Sequence, residues 1–177
     1  TAAGANAELT RLAERLQAPV LTSAIGKGAI SEDHPLALGS AWREGERMAR
    51  LVEGTDAVLA VGTRLGPMEV RGNMPLPHLV HIDPQRDNIG RCYPAEVGLV
   101  GHPRAVLRQL LERFPSEARA SRAQEVATAK EGIARVTQSR APEVWRLLGD
   151  IRSAIDRESI VCLDMTLPAY WASSYLP

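Results

Sequence analysis

Asp56-Ala57-Val58-Leu59-Ala60-Val61-Gly62 is the stretch on which the reading of the fold turns. Its apolar residues run on without polar alternation, as they do in a strand buried on both faces, and a glycine stands where the backbone must turn. Downstream, Leu79-Val80-His81-Ile82-Asp83-Pro84 repeats the design and ends in an acid and a proline; Val97-Gly98-Leu99-Val100-Gly101 is a third such run. Upstream, Pro19-Val20-Leu21-Thr22-Ser23 is a shorter run that delivers the glycine-rich Gly26-Lys27-Gly28, followed by a longer connection through Ser31–Pro35 to Gly39. Between the runs lie helical patterns. Leu9, Leu12, Ala13 and Leu16 share a face after Asn6, read as an N-cap; Glu44–Val52 turns Met48, Leu51 and Val52 inward; Pro103–Phe114 starts on a proline and aligns Val106, Leu107, Leu110 and Leu111. Buried strands alternating with amphipathic helices imply βαβ units: a parallel sheet with right-handed crossovers and helices on both faces.

The pattern changes after Pro115. Residues 116–140 are rich in Ala, Arg, Glu, Ser and Gln, with only Val126, Ile133 and Val136 as larger apolar residues, and read as a weakly amphipathic linker helix whose charges form a solvated face. Pro142 opens a better helix to Asp156, and Ser159-Ile160-Val161-Cys162-Leu163-Asp164 reads as a strand leading into Met165-Thr166-Leu167-Pro168. Three segments are therefore expected: an α/β domain over 1–115, a linker helix over 116–141, and over 142–177 the start of a second α/β domain. A length of 177 residues suits one domain and part of another, and the opening at Thr1, without an initiator Met, reads as an excised segment.

Composition narrows the function classes. Twenty-one basic residues balance twenty-one acidic ones, so no net field draws the chain to nucleic acid or an anionic membrane. No apolar run is long enough to span a bilayer, and the start, Thr1-Ala2-Ala3-Gly4, lacks the charged and hydrophobic regions of a signal peptide. Cys92 and Cys162 are isolated from each other and from metal-spaced histidines, which argues against a zinc site or a disulfide framework and for a cytoplasmic setting.

Gly26-Lys27-Gly28 lacks both the upstream glycine and the following Ser or Thr of a P-loop, and reads as a tight turn. Gly62, Thr63, Arg64 and Asp83 are better candidates, because ligands of open parallel sheets bind beyond the carboxyl ends of the strands. There an acid can accept from a ribose hydroxyl and an arginine can contact a phosphate; the competing reading is that Asp83 caps its own turn and Arg64 is a solvated charge. His34, His78, His81 and His102 have no nucleophile at catalytic spacing and read as structural, and Trp42, Trp145 and Trp171 as packing anchors. No catalytic or metal-ligating residue is assigned.

Taken in order, Leu12–Val20, Gly26-Lys27-Gly28, Glu32-Asp33-His34-Pro35-Leu36 with Gly39, Asp56–Arg64, His81-Ile82-Asp83 and Val100-Gly101 with its helix resemble the central domain of thiamine-diphosphate-dependent enzymes, across residues 5–114. Val161-Cys162-Leu163-Asp164 followed by Trp171-Ala172 is similar to the opening of that family's C-terminal, diphosphate-binding domain. The resemblance implies a Rossmann-like α/β sheet whose first strand would precede Gly4. It also implies acetolactate synthase-like or 2-oxo acid decarboxylase-like relatives, which use thiamine diphosphate and Mg to decarboxylate a small-molecule 2-oxo acid and protonate or ligate the carbanion. The complete protein would be a homodimer or homotetramer. The activating glutamate and the metal-diphosphate motif of the family would lie outside this chain, which alone would be inactive and hold no cofactor tightly. Thr166 and Leu167 correspond to the family's turn near the diphosphate. In the flavin-containing branch the strand edge at Gly62, Thr63, Arg64 and Asp83 would hold FAD, or in other branches ADP. Arg43-Glu44-Gly45 and His102 depart from the flavin pattern. The alternatives are a nucleotide-binding module or a purely architectural domain.

Overall fold

The computed structural model describes residues 3–40, 54–67, 70, 74, 76–117, 119–162, 164 and 166–176. The helix expected over Glu44–Val52, and Trp42, lie outside the described residues. Helices α1 (Asn6–Leu16), α2 (Pro103–Arg113), α3 (Ala123–Arg140), α4 (Pro142–Ala154) and α5 (Leu167–Tyr175) accompany strands β1 (Val20–Thr22), β2 (Ala37–Ser40), β3 (Val58–Val61), β4 (Leu79–Asp83) and β5 (Val97–Val100). All pairings are parallel, in two sheets: β1-β2 and β3-β4-β5. The parallel α/β class read from the apolar runs is what the chain adopts.

Ile82, on the central strand of the larger sheet, is fully buried and is the hub of the main core. Leu12 comes to it from α1 and Ala5 from just before that helix, Leu107 and Leu111 from α2, Leu59 and Val61 from β3, and Leu99 from β5. Leu12 and Leu16 line this cluster because their four-residue spacing returns them to one face; Ala13, one step round, faces a second cluster with Leu36, Leu38 and Val126 on the smaller sheet. One helix thus serves both sheets. Among the described residues, the cluster on the opposite face of the larger sheet takes Leu65, Leu76, Tyr93 and Ala95 from the loops. The β4–β5 crossover likewise contains only a 3-10 turn at Arg86–Asn88.

Side chains lock these elements together. Arg15 of α1 donates through Nη1 to the carbonyls of Leu111 and Phe114, closing the C-terminal end of α2, whose last carbonyls lack intrahelical partners. Arg15→Ala is therefore expected to cost about 1–2 kcal/mol, read as a lower urea midpoint with an unchanged slope. At the other end of the same helix pair, Arg104 Nε donates to Glu8 Oε1 at 2.9 Å. That bond holds the Glu8 carboxyl below its ordinary pKa. A carboxylate lowered in the folded state stabilises at neutral pH, and the contribution disappears as pH falls below the ordinary carboxylate range. Glu8→Gln should flatten that part of the acid unfolding curve.

Several sequence readings need correction. Asn6 is the first helical residue rather than the cap, and its Nδ2 donates 2.6 Å to Gly28 O, tying α1 to the glycine turn. Ala37–Ser40 is a strand where a connection was expected; its four residues are all buried, but Ala, Gly and Ser carry little β-propensity. The linker helix begins at Ala123, not at 116. Residues 159–162 have no ladder partner, Ile160 is 91% exposed, and the described part of the expected strand Ser159–Asp164 is irregular. A run of strand-like composition becomes a strand only where it pairs with a neighbour, and among the described residues this one pairs with none. The following residues, read as a turn, start α5, which packs on α4 through Ala172, Leu176 and Leu148. Tyr175 lies against Trp145 and Trp171 and reaches the cluster of Met74 and Ile133, so the tail folds back onto the α/β layers. An ion pair between Arg157 and Asp33 adds to that docking.

Candidate functional site

The carboxyl ends of β3, β4 and β5 meet at one edge. Gly62 N–H donates to Ile82 O at 2.9 Å and Gly101 N–H to Asp83 O at 3.1 Å, so Gly62, Asp83 and Gly101 end three strands side by side. Gly62 has φ +63°, a left-handed conformation that a side chain disfavours, and from it the chain turns into the half-buried Thr63 and exposed Arg64. Pro103, at the first turn of α2, is 3.9 Å from where a Gly62 Cβ would be, and no side chain caps that helix. The positive dipole end of that helix therefore lies at the same edge.

His81 fixes the turn. It is 1% exposed; its Nδ1 accepts from Gly90 N–H at 3.3 Å, which requires the proton to be on Nε2, and Nε2 donates to Thr63 O at 2.7 Å. Thr63 Oγ1 in turn accepts at 3.1 Å from the N–H of Leu65, a residue with φ +51°. One buried imidazole from β4 thus joins the loop after β3 to the loop after β4. The structural role expected of His81 is what the geometry shows. That it positions the candidate edge was not read, because a single histidine inside an apolar run carries no periodic signal.

Asp83 is buried and its Oδ1 is committed locally, accepting from Gln85 N–H at 2.8 Å and Asn88 Nδ2 at 3.0 Å. It braces the 3-10 turn, as in the capping alternative weighed from the sequence. Gly62, Thr63 and Arg64 share an edge with it. Thr166 and Leu167 belong to another layer: Thr166 is exposed and precedes α5 without capping it, and that helix rests on α4 and β2. The structure does not gather the two sets of candidates into one site by any contact among the described residues.

Lys27, His34 and His78 each face a glutamate. Lys27 lies 3.0 Å from Glu32, within a turn closed by Ala29 N–H to Gly26 O, so the glycine loop is the tight turn expected of it. His34 faces Glu14 at 3.3 Å and accepts from Leu36 N–H; His78 faces Glu96 at 2.7 Å. A shallow groove of about 460 Å³ runs between Asp33-His34-Pro35 and the α3 residues Ala123, Ala127 and Lys130, away from the strand edge. No group of three or more His, Cys, Asp or Glu that could hold a metal occurs among the described residues, nor any helix long and apolar enough to cross a membrane.

Residues 1–110 match the family model of the thiamine pyrophosphate enzyme, central domain. A probable acetolactate synthase large subunit of Methanocaldococcus jannaschii is 39% identical over 112 residues, covering 61% of this chain and 19% of that protein. A probable 2-ketoarginine decarboxylase of Pseudomonas aeruginosa is 34% identical over 174 residues, 96% of this chain and 31% of that protein. A sulfoacetaldehyde acetyltransferase of Rhodobacter capsulatus is 34% identical over 130 residues, 67% of this chain and 22% of that protein. The chain thus spans less than a third of the length of each of these relatives. With the parallel α/β layers already described, the match over residues 1–110 establishes that the chain belongs to the thiamine pyrophosphate enzymes and contains their central domain.

Proposed function

We propose that the chain is the central domain, with the opening segment of the next domain, of an enzyme that uses thiamine diphosphate to decarboxylate a small 2-oxo acid. The carbanion left after carbon dioxide departs would be protonated or joined to a second carbonyl compound. The observation that carries the reading is the likeness to the 2-ketoarginine decarboxylase, which continues through the central domain and across α3, α4 and α5. The described residues themselves do not fit a thiamine diphosphate and Mg site: they present no cluster of metal ligands, and Thr166 stands exposed at a helix packed on β2. The chemistry is therefore assigned to other parts of the complete polypeptide, acting as a homodimer or homotetramer in the cytoplasm, and the chain alone is inactive. The test is carbon dioxide release by the complete polypeptide from a panel of 2-oxo acids, including pyruvate and 2-ketoarginine. Release that depends on added thiamine diphosphate and Mg²⁺ supports the reading; no release from any member overturns it.

A second reading concerns the strand edge. The positive φ of Gly62, the exposed Arg64 and the uncapped start of α2 together favour a phosphate-bearing ligand, FAD or ADP, over a purely architectural edge. Asp83, turned onto Gln85 and Asn88 through Oδ1, braces this edge. Calorimetry with ADP and with FAD on the purified chain tests it: heat that falls at least tenfold in affinity with Arg64→Ala supports nucleotide binding, and no heat at high micromolar ligand leaves the edge architectural.

A further inference from the structure

We propose that the outer edge of β5 is a self-association surface, on which a second copy of this chain pairs antiparallel about a dyad at Leu99. Among the described residues this strand is the last of its sheet and pairs on one side only, with β4. Val97 is 44% and Val100 51% exposed, and the strand carries none of the lysines or prolines that usually protect an open edge. Gly101 N–H is spent on Asp83 O, so by the alternation of a ladder the N–H and C=O groups of Gly98 and Val100 point outward.

The register follows from what stands opposite what. With Leu99 on the dyad, Val100 of one copy faces Gly98 of the other and Val97 faces Gly101. Neither glycine leaves a void: the place of a Gly98 Cβ is filled by Ile89 Cγ2, 2.6 Å away, and that of Gly101 by Val106 Cγ2, 2.8 Å away. Each exposed valine therefore meets an apolar side chain already seated over a glycine. Gly98 and Val100 of opposite copies exchange both their outward hydrogen bonds, giving four across the dyad. At either end the exposed Glu96 carboxylate, held by His78 Nδ1 at 2.7 Å, stands opposite the exposed His102. Moving the dyad to Gly98 would set Glu96 against Val100, and moving it to Val100 would set Pro103 against Val97. Only the Leu99 dyad matches apolar to apolar and acid to imidazole. The contact is at the small end of protein interfaces, so a weak dimer, half-formed at tens of micromolar, is expected.

Sedimentation equilibrium of the chain from about 1 to 300 µM should show a monomer passing to a dimer, with dimerisation weakened at least tenfold by Val100→Lys at unchanged circular dichroism. Register is read independently by oxidation in a Cys92→Ser, Cys162→Ser background. Leu99→Cys should cross-link into a dimer, because unbonded antiparallel pairs bring Cα atoms to about 4.5 Å, within disulfide reach. Val97→Cys, whose two copies lie on opposite sides of the dyad, should not. A chain that stays monomeric throughout, a dimer indifferent to Val100→Lys, cross-linking of Val97→Cys as efficient as that of Leu99→Cys, or assembly into larger oligomers would each overturn the proposal.

Discussion

Ile82→Ala should lose about 3–5 kcal/mol of stability, the upper part of the range for truncating a buried aliphatic side chain. Ile82 is fully buried on the middle strand of β3-β4-β5, with α1 and α2 converging on it from one side. Hydrogen bonds to β3 and β5 hold its backbone, so the sheet cannot collapse into the space left by the missing carbons. Domains of this size have only about 5–15 kcal/mol in hand. The urea midpoint should fall by a third or more, while Ile82→Val should cost about 1 kcal/mol. Equal effects of the two variants would show that the side chain is not confined as described.

His81→Leu should cost about 2–4 kcal/mol, for a different reason. Leucine fills much of the volume of imidazole but leaves the part-buried Thr63 O and Gly90 N–H without their partner, and an orphan of this kind costs up to about 1–3 kcal/mol. The effect should also be local. Amide exchange of residues 62–66 and 88–91 should accelerate by more than that of Leu107 in α2, because the imidazole is what joins these two loops. Uniform acceleration over the whole chain would mean that His81 acts through general packing and does not position the edge.

These two residues also show where the sequence was legible. Ile82 sits in a mostly apolar run, and such runs identified β1, β3, β4 and β5 and their parallel pairing; helical spacing did the same for α1 and α2. Periodicity reports burial, and burial is what those elements share. Ala37–Ser40 escaped because its strand character comes from the neighbours that cover it rather than from its side chains. Ser159–Cys162 misled in the opposite sense: its composition suits a strand, but it pairs with no strand among the described residues. At the candidate site, Gly62 and Asp83 were placed correctly at the ends of strands. What Asp83 does with Oδ1, and that His81 ties the loops, depends on Gln85, Asn88 and Gly90, residues whose types are ordinary and whose meaning is purely spatial.

In the role proposed for it, this chain is a scaffold whose cofactor chemistry is completed elsewhere in the polypeptide. The most direct measurement is calorimetric titration of thiamine diphosphate with Mg²⁺ into the chain alone and into the complete polypeptide, side by side. Saturable heat is expected from the complete polypeptide only. Stoichiometric micromolar binding by the chain alone, or none by either protein, would contradict it.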